Sequence, residues 1–84
     1  MKQSVIELEY CTSCNYLPRA LWIVAELLPD LQYEIGSFHL VPGTKGVFEL
    51  KVDGSLVFSK IESGRFPEPD ELKQSIFNRL ERKE

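Results

Sequence analysis

A single helix-period segment lies between two strand-period segments at the start of this chain, and that succession limits the folds open to it. Gln3 to Glu9 sets Val5, Ile6 and Leu8 against Ser4, Glu7 and Glu9, which reads as a strand. From about Asn15 to Leu28 the apolar residues Leu17, Leu21, Val24 and Leu28 recur at helical spacing. Pro29 is expected to end this helix, because proline cannot continue the hydrogen-bond ladder. Pro18 fits only if it falls in the first turn, where a missing N–H is dispensable, and this puts Cys14 or Asn15 at the helix start. Tyr33 to Val41 reads as the second strand. Strand, helix and strand in that order imply parallel strands with a right-handed crossover.

The remainder reads as a loop over 42–46, strands Val47 to Val52 and Leu56 to Ile61, a loop over 63–69, and a helix from about Asp70 to Arg82. Asp53-Gly54 between the two strands is a strong hairpin signal. Leu72, Ile76 and Leu80 share one face of the last helix. The predicted order is β-α-β-β-β-α, a single α/β domain with a four-stranded mixed sheet and two helices. That is the minimal thioredoxin-like arrangement, with strand order 2-1-3-4. It sets Cys11 and Cys14 opposite Gly46 and Val47. A chain of 84 residues has room for one such core.

Charge excludes some functions. The net charge is −3, and Lys and Arg are scattered apart from Arg79, Arg82 and Lys83 at the tail. A nucleic-acid binder would show a basic stripe. The first ten residues have no signal-peptide pattern. The longest apolar stretch, Ala20 to Leu28, is interrupted by Glu26 and is too short to span a bilayer. A cytoplasmic protein with neither nucleic-acid nor membrane partners is expected, in a compartment that keeps ordinary thiols reduced.

The chain has two cysteines, Cys11 and Cys14, separated by Thr12 and Ser13. Two cysteines in a chain this long take that spacing by chance only about one time in forty. These two also follow a strand and open a helix. Helix N-termini stabilise a thiolate through free N–H groups and the macrodipole, and the thiolate is the nucleophile of thiol–disulfide exchange. One sulfur attacks a disulfide and its neighbour resolves the mixed disulfide. Thr12 and Ser13 add hydroxyl donors, and Arg19 is the nearest cation in sequence. Three other readings compete. The cysteines are inert core residues. With His39 they form part of a zinc site, although such a site needs four ligands. Or they carry Cu(I), although copper carriers have a methionine before the motif, where this chain has Tyr10, and a last strand after the second helix.

Three blocks carry a family resemblance: Tyr10-Cys11-Thr12-Ser13-Cys14-Asn15-Tyr16 with Arg19-Ala20, Gly46 through Gly54, and Val57-Phe58-Ser59-Lys60 through Gly64-Arg65-Phe66-Pro67 to Glu71-Leu72-Lys73. In this order they resemble the selenoprotein W/T/H group, the Rdx family, in a bacterial cysteine-containing form. The resemblance implies a thioredoxin-like fold and a thiol-based redox role with Cys11 and Cys14 as the catalytic pair. It also implies protein or glutathione disulfides as partners and no resident cofactor or metal. The family's selenocysteine position maps onto Cys14, which points to Cys14 as the attacking sulfur, whereas thioredoxins attack with the first cysteine, and the sequence leaves both assignments open. Thioredoxins also place a cis-proline where this chain has Gly46-Val47.

Among other residues, Phe66 is expected either to cap the core or to meet a partner, and His39 to be a solvated strand residue. Phe48, Phe58 and Phe77 are expected in the core. Ala20 to Ala25 makes the first helix apolar nearly all round, so Trp22 either lies under loops or marks a homodimer or partner surface.

Overall fold

The computed structural model describes residues 3–82, so Lys83 of the basic tail lies outside the described residues. In chain order the elements are β1 (Val5–Cys11), α1 (Leu17–Leu31), β2 (Ser37–Gly43), β3 (Phe48–Val52), β4 (Ser55–Ser59), α2 (Lys60–Ser63) and α3 (Pro69–Arg82). The four strands form one sheet in the order β2-β1-β3-β4, as the sequence predicts. β1 runs parallel to β2, and β3 is antiparallel to both β1 and β4. The β3–β4 hairpin turns on Asp53 and Gly54 at φ +52° and +82°, the doubly left-handed geometry that Asp-Gly favours. Asp53 also ties the hairpin to β1: the Val5 N–H donates to Asp53 Oδ1 at 2.8 Å, and the Asp53 N–H donates to the Val5 carbonyl at 2.8 Å.

The core lies on one face of the sheet. Ile6 and Leu8 of β1 and Phe48, Leu50 and Val52 of β3 are buried there against Ala20, Ile23, Leu27 and Leu31 of α1 and Leu72 and Ile76 of α3. Each buried Leu, Ile, Val or Phe among them contributes about 1.5–3 kcal/mol relative to exposure. Phe58, Phe77 and Leu80 pack against this core half-buried. The opposite face carries Glu7, Glu9, Val41, Glu49 and Lys51 around a shallow depression.

Four expectations are corrected. The helix begins at Leu17, not at Cys14 or Asn15, because Asn15 sits at φ +61°, outside the helical region. Pro18 nevertheless lies in the first turn, as its missing N–H requires. Pro29 does not end the helix, which continues to Leu31. Proline's lost bond would have run to the Ala25 carbonyl. Both residues face solvent, where water can satisfy that carbonyl, while buried Leu31 holds the last turn on the core. Finally, the fourth strand stops at Ser59 rather than Ile61, and a third helix, the one-turn α2, takes its place. The Ser59 hydroxyl accepts the Glu62 N–H at 3.1 Å, so Ser59 is an N-cap and not a strand residue in mid-ladder.

Candidate functional site

Cys11 is the last residue of β1, and its N–H donates to the Val47 carbonyl of the β3 approach at 2.9 Å. The next residue, Thr12, donates its N–H to the Gly43 carbonyl of β2 at 3.1 Å, with its hydroxyl on the same oxygen at 3.3 Å. The chain therefore leaves the sheet held by both neighbouring strands. A tight turn follows, in which the Asn15 N–H donates to the Thr12 carbonyl at 3.2 Å and the Tyr16 N–H to the Cys11 carbonyl at 3.3 Å. Asparagine tolerates the left-handed conformation that this turn imposes at position 15.

The turn folds Cys14 back onto Cys11, and the two are joined as a disulfide with Cα atoms 5.3 Å apart. That separation is ordinary for a disulfide. The two residues differ sharply in accessibility. Cys11 is 0% exposed, while Cys14 is exposed together with Thr12, Ser13 and Asn15. The Ser13 hydroxyl lies 3.6 Å from the Cys11 sulfur. The predicted facing of the motif and Val47 holds, and no cis peptide bond occurs among the described residues.

Beside the motif stands an aromatic group. Tyr16, Phe48 and Phe66 meet edge to face, with centroids 4.9 Å apart for Tyr16–Phe66, 5.2 Å for Phe48–Phe66 and 6.1 Å for Tyr16–Phe48. Phe66 is thus half-buried and caps the core at the motif end of the molecule. Two cations approach this group. The Arg19 guanidinium lies 4.4 Å from the Phe66 centroid, and the Lys60 ammonium lies 5.2 Å from Phe66 and 5.5 Å from Tyr16. Arg19 also lines a groove of about 520 Å³ with Asn15, Pro18 and Trp22.

The loop that carries Phe66 is pinned to α3. Arg65 forks onto Glu71, Nη1 to Oε2 at 2.6 Å and Nη2 to Oε1 at 2.9 Å, and the Glu68 N–H donates to Glu71 Oε2 at 2.8 Å. The Arg65 guanidinium, followed by that backbone donor, holds the Glu71 carboxyl at about 2, well below the usual carboxylate range. Glu49 Oε2 accepts the N–H groups of Lys60 at 3.0 Å, Phe48 at 3.2 Å and Ile61 at 3.4 Å, which fixes the start of α2.

The structure brings Cys11, Cys14 and Arg19 to one end of the sheet. His39 is exposed on β2, its Nε2 2.9 Å from the Ser37 hydroxyl, four residues up the strand from Gly43. Sequence reasoning missed that Tyr16 and Lys60 join Phe66 beside the motif, and that Glu49 anchors the start of α2. The signal available for Lys60 was Ser59-x-x-Glu62, a helix-start pattern that would have turned it out of the strand.

A four-stranded mixed sheet with two long helices on one face and a Cys-x-x-Cys pair at the end of its central β1 strand defines a thioredoxin-like protein. Residues 5–78 match the Rdx family, and the chain belongs to that family. It is similar to migration and invasion enhancer 1 of Mus musculus and of Bos taurus, 36% identical over 74 residues in each case. Those matches cover 84% of this chain and 60% of each relative, so the chain spans less than two thirds of their length. Two crystal structures are close in shape. One is a selenoprotein W-related protein from Vibrio cholerae, with a TM-score of 0.88 and 34% identity over 94% of this chain and 99% of that one. The other is a protein from Bordetella parapertussis, with a TM-score of 0.87 and 38% identity over 92% of this chain and 98% of that one. No helix among the described residues is long and apolar enough to cross a membrane.

Proposed function

We propose that this protein is a small cytoplasmic thiol–disulfide oxidoreductase in which Cys14 attacks and Cys11 resolves. The observation that carries the reading is the asymmetry of the pair: an exposed Cys14 bridged to a fully buried Cys11. A substrate disulfide can approach Cys14 from solvent, while Cys11 reaches only Cys14. In the reduced protein the Cys14 thiolate attacks one sulfur of the substrate. The substrate S–S bond breaks, a mixed disulfide forms, and the departing thiolate takes a proton. The Cys11 thiolate then attacks the Cys14 sulfur and expels the second substrate thiol. The substrate gains two electrons and the protein is left as the disulfide. Protein or glutathione disulfides are the partners, and no resident metal or cofactor takes part.

A second reading is favoured by the exposed apolar face of α1, which begins three residues after Cys14. In it, the redox state of the pair gates binding to another protein without turnover.

Single-cysteine variants test the assignment. Iodoacetamide is expected to alkylate the thiol left in Cys11→Ser at least about tenfold faster than the one left in Cys14→Ser, because only the former is exposed. In cells, Cys11→Ser should accumulate mixed disulfides and Cys14→Ser should not. The opposite pattern would reverse the roles. Catalytic reduction of a disulfide coupled to glutathione favours the oxidoreductase; redox-dependent capture without turnover favours the binding module.

A further inference from the structure

Arg19 from α1 and Lys60 from α2 converge on one ring, Phe66, from different parts of the chain. This is a costly arrangement for stability alone. Like charges repel, and a cation–π contact at an exposed site returns only about 0.5–1 kcal/mol. Two other cations, Arg65 and Lys73, are paired with acids, Glu71 and Asp30. Among the described residues no carboxylate forms an ion pair with either Arg19 or Lys60. Glu49 meets Lys60 through its backbone, where Oε2 accepts the N–H groups of Phe48, Lys60 and Ile61. The two cations therefore stand beside the motif with their charge uncommitted.

Their position matters more than their number. The chain as a whole carries −3, which disfavours anionic substrates at long range. That field is screened over about 8 Å in physiological salt, so the charges adjoining Cys14 decide what docks there. Arg19 lines the same groove as Asn15, the residue next to Cys14, and Lys60 stands over the ring of Tyr16. Pro18 and Trp22 give that groove an apolar floor for the body of a substrate.

We infer that Arg19 and Lys60, gathered on the Phe66 ring beside exposed Cys14, form a carboxylate-binding site that selects disulfides bearing acidic groups near their sulfur atoms. The inference rests on the redox reading above and names the substrate class of the same site. Small dicarboxylate disulfides and polypeptide disulfides flanked by Asp or Glu share this chemistry.

The test is single-turnover oxidation of the reduced full chain by glutathione disulfide, which is anionic, and by hydroxyethyl disulfide, which is uncharged. The readout is the ratio of the two rate constants. In the Arg19→Gln/Lys60→Gln double variant this ratio should fall about tenfold, the product of two rim charges worth about threefold each. The charge-preserving Arg19→Lys/Lys60→Arg variant should keep it, and 1 M salt should abolish the wild-type preference. A ratio unchanged in the glutamine variant, or cationic cystamine reacting as fast as glutathione disulfide with the wild type, would overturn the inference while leaving the redox reading intact. Failure of the reduced wild type to react with either disulfide would overturn both. A peptide disulfide flanked by aspartates separates the two sources. Loss of rate with it in the glutamine variant extends the site to acidic polypeptides; loss confined to glutathione disulfide restricts it to small disulfides.

Discussion

At the scale of single residues, the motif end of the molecule is held by a few specific side chains. Asn15 at φ +61° is what separates the cysteine pair from the helix. Glu71 collects both Arg65 nitrogens and the Glu68 N–H, and so fixes the loop from which Phe66 reaches the aromatic group. Its contribution depends on pH with a definite sign. The folded carboxyl lies at about 2 against an ordinary 4.5, so its stabilisation is complete above pH 4.5 and is lost as pH falls toward 2. Because the Glu71 side chain is 35% exposed, solvent screening limits that contribution to about 1 kcal/mol. Glu71→Gln should therefore lower the urea midpoint at pH 6 and leave it nearly unchanged near pH 2. An equal loss at both pH values would show that the residue acts through packing and not through charge.

At the scale of elements, the types and order of the strands and long helices were legible, and several boundaries and faces were not. Alternation in Val5 to Glu9, the Asp53-Gly54 turn and the Leu72/Ile76/Leu80 face are local signals, and local signals were enough for them. The first helix shows the limit. Its apolar stripe at Leu17, Leu21, Val24 and Leu28 has helical spacing, yet the buried stripe is Ala20, Ile23, Leu27 and Leu31. Both stripes fit the period, and only the sheet against which the helix docks chooses between them. Leu17 and Leu21 are left 41% and 51% exposed as a result. Of the site, the cysteine pair and Arg19 could be read from the chain. Lys60 was missed: Ser59-x-x-Glu62 signals the helix start that turns it out of the strand, but its approach to Phe66 depends on how α2 packs at the end of the sheet. A different constraint binds β2 to the motif. A Cβ placed on Gly43 would lie 2.7 Å from Glu9 Oε2 and 2.8 Å from Val47 Cγ2, beside the carbonyl that receives Thr12. Gly43→Ala is expected to destabilise the fold by about 1–3 kcal/mol in urea denaturation, since the crowded side chains must move. No loss of stability would show that Glu9 and Val47 yield freely.

At the scale of the whole molecule, the helix layer covers one side of the sheet and leaves the outer face of α1 uncovered. Trp22 is 44% exposed there, so loops do not bury it. Leu17, Leu21, Val24 and Leu28 repeat symmetrically about the midpoint between Trp22 and Ile23. Two such helices crossing antiparallel at that midpoint would set Leu17 of one copy against Leu28 of the other, and Leu21 against Val24, with no charged residue in the stripe. Sedimentation at micromolar concentration is expected to show a reversible dimer that Leu21→Glu converts to monomer, because a buried unpaired carboxylate is costly in such a contact. A wild type that stays monomeric would leave this face to a partner of another kind.

The way the motif loop is anchored has a consequence for what oxidation does to the molecule. Cys11 and Thr12 are clamped to Val47, just before β3, and to Gly43 of β2 by main-chain hydrogen bonds that involve neither sulfur. Breaking the Cys11–Cys14 bridge therefore leaves the sheet, and the aromatic group at its end, with the same supports. Freedom is gained only by the short arc from Ser13 to Asn15, which runs between that clamp and the first turn of α1. A change in the state of the pair would thus be recorded in the shape of a few surface residues, on a frame whose main-chain supports do not depend on the bridge. Anything that distinguishes the oxidised from the reduced form must read that arc itself.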